Sequence, residues 1–232
     1  MAISDLAAIL LDFDGTLVDT EPYWMQGEVD MLAELGVPWS VEEARVLCGT
    51  SREYSQSVLL AQLVAHGVDV TTLDEDDFYA DLCGRVISHI DRLGAPVLPG
   101  VPELLADIAA HGVPCAVVSA SPPSVLAAGL ARFPEGVISA VVDGEIVAES
   151  KPAPEGYLLA ASMLGVNAAD CVVIEDTVAG TAAGLAAGAV VVAVPRHQSI
   201  DEAPGQVILP SLRGVDVARL RQLYHQVRGQ QV

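Results

Sequence analysis

The chain has 232 residues, 31 acidic and 11 basic, and a formal charge of −20. Such a surface argues against a nucleic-acid ligand, whose phosphates need basic groups, and repels anionic small molecules at long range. At 52% hydrophobic residues the chain can bury a sizeable core, yet no apolar run approaches the roughly 20 residues that cross a membrane.

The 4% of aromatic residues leaves Ala, Val, Leu and Ile to build the core. Met1-Ala2-Ile3-Ser4-Asp5 lacks the basic start of a signal peptide. Cys48, Cys83, Cys115 and Cys171 are scattered without a Cys-x-x-Cys pair, as expected of buried thiols in a reducing cytoplasm. His66, His89, His111, His197 and His225 show no metal-ligand spacing and read as surface or helix-end residues. No repeat or low-complexity tract is present.

The first element is an apolar strand over residues 7–12, ending in Asp12-Phe13-Asp14-Gly15-Thr16-Leu17-Val18-Asp19-Thr20. Alternate strand residues share a face, so Asp12 and Asp14 can enter one small volume. Two negative charges there need a cation or a shared proton. Taken alone, the pair could equally cap a turn.

Residues 21–93 carry a helical pattern with few strand candidates, giving helices near 22–35, 41–47, 52–65 and 74–93. Pro22 suits an opening turn and Gly36 a closing one. Residues 95–100, Ala-Pro-Val-Leu-Pro-Gly, read as a return linker. Strands and helices then alternate, with strands near Val113, Val137, Cys171 and Ala189, the pattern of a parallel sheet with crossover helices.

The strand before Ser119-Ala120-Ser121 ends in a hydroxyl and free N–H groups, either a phosphate cradle or an ordinary helix cap. Val141 to Val147 suggests a small hairpin through Asp143-Gly144. Lys151, the only lysine in the chain, sits between Ser150 and Pro152 in a rigid loop. A compact ammonium there could neutralise a phosphate and a carboxylate together, or be a solvated surface group. The strand at Cys171 ends in Glu175-Asp176, and Asp176 could serve only as a cap for the helix over 177–187. A closing amphipathic helix is expected over 215–227. Asp19, Asp201 and Glu202 are read as solvated acids.

Each of these features is ambiguous by itself, but Asp-x-Asp, Ser, Lys and Glu-Asp follow one another in order. In that order they resemble the four motifs of the haloacid dehalogenase superfamily, in the branch of β-phosphoglucomutases and small sugar phosphatases. Asp12-Phe13-Asp14-Gly15-Thr16 resembles the first motif, Ser119 the second, Lys151-Pro152 the third and Glu175-Asp176 the fourth. The resemblance covers nearly the whole chain. It implies an α/β fold, with a Rossmann-like parallel-sheet core over 1–18 and 97–232 and an inserted helical cap over 19–96.

It also implies a magnesium-dependent phosphatase working through an aspartyl phosphate. Asp12 would be nucleophile, Asp14 general acid and base, and Lys151 the charge-neutralising group. Mg²⁺ would be held by Asp12, the Asp14 main chain and Asp176, with Glu175 as an additional or water-mediated ligand. Ser119 and the Ala120 N–H would hold the phosphoryl group, with Thr16 supporting them by hydrogen bonding. The loop from Cys48 to Glu53 resembles the mutase segment that supplies an arginine for a distal phosphate, here Arg52. Mutases of the branch carry a histidine where this chain has Trp24, and a cap lysine that is missing here. Glu21-Pro22-Tyr23-Trp24 looks instead like the phosphatases. The expected activity is therefore a phosphatase of a small phosphorylated metabolite, a sugar phosphate, with a β-phosphoglucomutase-type phosphosugar mutase as the alternative. A cytoplasmic monomer is expected, with no nucleic-acid or membrane partner. Receiver domains of signalling proteins share the acidic pair, Ser or Thr, and Lys, but they are shorter and lack an insertion after the first strand.

Overall fold

Apolar runs of four or five residues, each ended by polar groups, dictate a sheet buried on both faces. The computed structural model describes residues 5–230, so the reading placed on Met1 to Ser4 lies outside the described residues. In chain order the elements are β1 (Ala8–Leu11), α1 (Glu21–Glu34), α2 (Val41–Ala44), α3 (Arg52–Ala65), α4 (Glu75–Leu93), α5 (Val101–His111), β2 (Cys115–Val118), α6 (Pro123–Leu130) and β3 (Ala140–Val142). They continue with α7 (Glu155–Met163), β4 (Cys171–Glu175), α8 (Val178–Ala186), β5 (Val190–Ala193), β6 (Gln206–Ile208) and α9 (Val217–Gln230).

All six strands run parallel in the order β3-β2-β1-β4-β5-β6. Leu10 sits opposite Ala116 on one side and Val173 on the other, which fixes the register at the centre. Ile9, Leu11, Val117, Val172 and Ile174 pack on one face, and Ala8, Leu10, Ala116, Val118 and Val173 on the other. The second face is lined by small residues, among them Ala160, Ala161 and Ala183, so its helices lie close to the sheet. At Gly184 an added Cβ would come within 2.9 Å of Val191 and 3.0 Å of Val173.

Helices α1 to α4 lie between β1 and β2 in sequence, and α1 packs on α2, α3 and α4. Their shared interior holds Met31, Leu32, Leu59, Leu63, Phe78, Leu82 and Val86. Three of the four expected helices agree with the structure to within a residue at each end. Over 41–47 the helix gives way after Ala44 to a short 3₁₀ turn, Arg45–Leu47. The two crossing segments run side by side, with the Asp19 N–H donating to the Pro96 carbonyl at 2.9 Å and the Leu98 N–H to Leu17 at 3.0 Å.

Three expectations need correcting. The hairpin through Asp143-Gly144 has one strand, β3, and a turn with no returning partner. Gly144 serves a close approach instead: its N–H donates to the Ser121 carbonyl at 3.1 Å, and a Cβ there would lie 2.2 Å from the Ala120 oxygen. Asp19 is not a solvated acid, because Arg196 donates to its Oδ2 at 2.6 Å. The sheet also gains β6, a three-residue edge strand too short and too polar to show a period. Asp201 and Glu202 are exposed, as expected.

Candidate active site

Strand β1 has β2 on one side and β4 on the other, so a crevice opens outside the carboxyl ends of these three strands. Asp12 follows β1, Ser119 follows β2, Glu175 ends β4 and Asp176 follows it. The crevice thus collects the acidic pairs and the hydroxyl from segments more than 100 residues apart.

Lys151 enters this crevice from the loop before α7 and is largely buried. Its Nζ donates to Asp12 Oδ1 at 2.6 Å, Glu175 Oε1 at 2.6 Å and the Val118 carbonyl at 3.0 Å. Burial alone would push the ammonium down, but the charges of Asp12 and Glu175 reverse that and hold it well above the ordinary lysine value. The Tyr157 hydroxyl donates to Glu175 Oε1 at 2.8 Å. Glu175 Oε2 accepts from the Asp176 N–H at 3.0 Å, the Thr177 N–H at 3.2 Å and the Thr177 hydroxyl at 3.1 Å. Five donors therefore saturate Glu175, whose carboxylate lies where a Cβ on Gly180 would be, 1.7 Å from Oε1.

Asp12 and Asp176 differ sharply from Glu175. Asp12 Oδ2 and Asp176 Oδ1 are buried and have no hydrogen-bond partner. Oxygens of Asp12, Glu175 and Asp176 lie within 4.8 Å of one another. Burial first, and the neighbouring carboxylates second, push the carboxyls of both Asp12 and Asp176 above the usual range. Gly15, at φ +86°, lets the loop pass this group, since a Cβ there would sit 2.1 Å from Asp176 Oδ2. Two orphaned, crowded carboxylate oxygens fit a hard divalent cation.

Asp14 is held by hydroxyls. Thr20 donates to its Oδ1, and Ser119 and Ser121 donate to its Oδ2 at 3.1 and 2.6 Å. The Ser119 hydroxyl, expected to face a phosphoryl oxygen, is therefore turned to Asp14, and it also accepts from the Ser121 N–H at 2.9 Å. Among the described residues the Ala120 N–H has no acceptor, and Ala120 lines the cavity. Thr16 does not reach it: its hydroxyl is buried, without a partner, and off the cavity wall. Thr20, Ser121 and Tyr157 escaped the sequence reading, although Ser121 lay two residues from a residue already singled out.

The cavity, about 680 Å³ including its mouth, extends from Asp12, Asp14 and Lys151 to the inserted helices. Trp24 lines it and stacks on Tyr79, with ring centroids 6.3 Å apart. Arg52 also lines it, but its guanidinium is engaged by Gln56 at 2.8 Å, by Asp76 and by the face of Tyr79 at 4.5 Å. Two further acids were not foreseen. Glu21 accepts from the Gly49 N–H at 2.9 Å, and Glu28 accepts from the Trp39 indole at 3.5 Å. Both are buried and line the cavity. The available signal was their spacing, seven residues apart on one helix and therefore on one face.

Burial pushes Glu21 up to about 7 and Glu28 up to about 8. A raised folded-state value means that the native chain binds more protons than the unfolded one between about 4.5 and 8. The contribution to stability is present below the ordinary glutamate value and lost as pH rises through the folded one. Tm should therefore fall between pH 5 and pH 8, and Glu28→Gln should flatten that slope. Differential scanning calorimetry across this range checks it; parallel curves for both proteins would contradict it.

The family model of haloacid dehalogenase-like hydrolases matches residues 6–188. The chain belongs to the haloacid dehalogenase-like hydrolases. Within this family the hydrolase is 28% identical to Protein CbbY (plasmid) of Cupriavidus necator over 95% of this chain and 97% of that protein. It is 32% identical to hexitol phosphatase B of Escherichia coli over 84% of this chain and 86% of that one. A crystal structure of CbbY from Rhodobacter sphaeroides in complex with phosphate superposes with a TM-score of 0.80 at 28% identity, covering 93% of the hydrolase and 99% of the CbbY chain. No helix among the described residues is long and apolar enough to cross a membrane.

Proposed function

We propose that this phosphoric monoester hydrolase removes phosphate from a small sugar or polyol monophosphate through an aspartyl-phosphate intermediate. The observation that carries the reading is the pair of orphaned oxygens, Asp12 Oδ2 and Asp176 Oδ1, beside the buried Lys151 ammonium. The name of the E. coli relative, a hexitol phosphatase, supports the substrate class.

Asp12 attacks phosphorus as the bond from phosphorus to the sugar oxygen breaks, and Asp14 gives its proton to that departing oxygen. Water then attacks the aspartyl phosphate, loses its proton to Asp14, and releases inorganic phosphate and free Asp12. Lys151 offsets charge on the phosphoryl oxygens as it gathers in the transition state. The unused Ala120 N–H, with the Ser119 hydroxyl once it turns from Asp14, binds a phosphoryl oxygen. A divalent cation, magnesium in our reading, would be held by Asp12, Asp176 and the Asp14 main-chain carbonyl, with Glu175 behind them, and would neutralise phosphoryl charge. Residues 19–96 act as a cap that closes over the substrate.

Arg52 speaks against the mutase alternative. Its guanidinium is already shared among Gln56, Asp76 and Tyr79, and the outer groove it borders also carries Glu53 and Glu145. A second phosphate there would meet two carboxylates and one engaged cation.

The test supplies β-glucose 1-phosphate with a trace of its 1,6-bisphosphate, and separately a set of hexose and hexitol phosphates. Inorganic phosphate is expected as the main product in Mg²⁺, lost with EDTA and restored by added Mg²⁺. Glucose 6-phosphate without free phosphate would establish the mutase instead.

A further inference from the structure

Two cavity-lining carboxyls play no part in that chemistry. Glu21 and Glu28 project from the same face of α1, with Trp24 between them. Glu28 is only 3% exposed and Glu21 only 6%. Neither pairs with a basic side chain among the described residues: each is met only by neutral donors, the Gly49 N–H at Glu21 and the Trp39 indole at Glu28, and has no counter-charge. Leu47, Leu82, Trp24 and Tyr79 line the same cavity, together with Thr50, Ser55 and Arg52, whose guanidinium is already engaged by Gln56, Asp76 and Tyr79. A buried acid without a counter-charge in a cavity is costly to keep and marks a place where a ligand is met.

We propose that Glu28 is a specificity-determining residue that hydrogen-bonds a neutral hydroxyl of the leaving group, and that with Glu21 it confines the enzyme to polyhydroxylated, otherwise uncharged phosphate monoesters. This rests on the phosphatase reading above. A carboxyl raised to about 8 by burial is largely protonated at neutral pH. It then offers one donor and one acceptor, the complement of an alcohol. A second anionic group on the substrate would be brought against two acids, and an alkyl chain would offer neither carboxyl a further hydrogen bond. A site built to hydrogen-bond a hydroxyl rejects the analogue that lacks it.

The test compares kcat/KM of the Mg²⁺-loaded enzyme for a hexitol 6-phosphate and for n-hexyl phosphate, which has the same chain without hydroxyls. The wild type is expected to favour the hexitol ester. Glu28→Met, similar in length but without hydrogen-bonding groups, is expected to reduce that ratio at least about tenfold. Glu28→Gln, which keeps one donor and one acceptor, is expected to retain most of it. A structural role alone would not separate Gln from Met in a ratio of two substrates. An unchanged ratio in Glu28→Met overturns the proposal. If that variant does not fold, the ¹³C resonance of the Glu28 carboxyl in the wild type decides. It should move on adding the free hexitol and not on adding inorganic phosphate, and a carboxyl that ignores the hexitol overturns the role. Failure of the wild type to cleave either ester overturns the phosphatase reading itself. Cleavage of both with a ratio indifferent to residue 28 overturns only the role of Glu28.

Discussion

Asp12→Asn should abolish turnover, by at least about a thousandfold, and leave the protein folded. The amide is isosteric and still presents an oxygen to Lys151, whose 2.6 Å hydrogen bond to Asp12 would weaken without disappearing. What is lost is the anion that attacks phosphorus in the proposed mechanism. Stability should hold or rise, because Asp12 is buried beside Glu175 and Asp176 and the substitution removes one of three crowded charges. Phosphate release measured alongside near-ultraviolet circular dichroism separates the two effects. A variant with more than about a tenth of the parent rate would remove Asp12 from the role of nucleophile.

The second large effect concerns Lys151. Its Nζ has three acceptors within 3.0 Å, two of them carboxylates, and Glu175 is fully buried. Lys151→Met would leave these acids facing each other without a cation. Removing one partner of a buried ion pair costs about 3–5 kcal/mol. In a chain of this size that corresponds to a fall in Tm of about 10 °C. Activity should disappear along with the charge on the phosphoryl side. Lys151→Arg should not rescue it, since a planar guanidinium cannot place one compact cation among three converging oxygens. Both variants are read out by thermal unfolding and phosphate release, and an active Lys151→Arg enzyme would show that the charge alone matters.

Much of this site was legible because its residues end apolar strands. Asp12 and Ser119 each follow an uninterrupted apolar run, Glu175-Asp176 closes another, and in a parallel sheet those ends converge. Helix α3 was legible at both ends because Ser51 caps it and Gly67 follows it. What escaped depends on contacts between distant segments. Arg196 reaches Asp19 across 177 residues, and no local pattern joins them. Glu28 looked like one more charge on an acidic chain, and only the packing of α1 against Trp39 and Tyr79 shows that it faces inward. At Asp143-Gly144 the turn was legible and the returning strand was not there, because Gly144 answers to the backbone of Ala120 and not to a hairpin. Strand β6 has three residues, each half-buried at an edge, and leaves no periodic trace.

The single lysine has a practical consequence. Reagents that couple to ε-amino groups find one such group in 232 residues, and it is enclosed between two carboxylates. All other basic side chains, histidine apart, are arginine. Random amine labelling, acylation or immobilisation through ε-amines therefore finds no other lysine among these 232 residues. Covalent capture of the ε-amine would report directly on access to the crevice at the carboxyl ends of β1, β2 and β4.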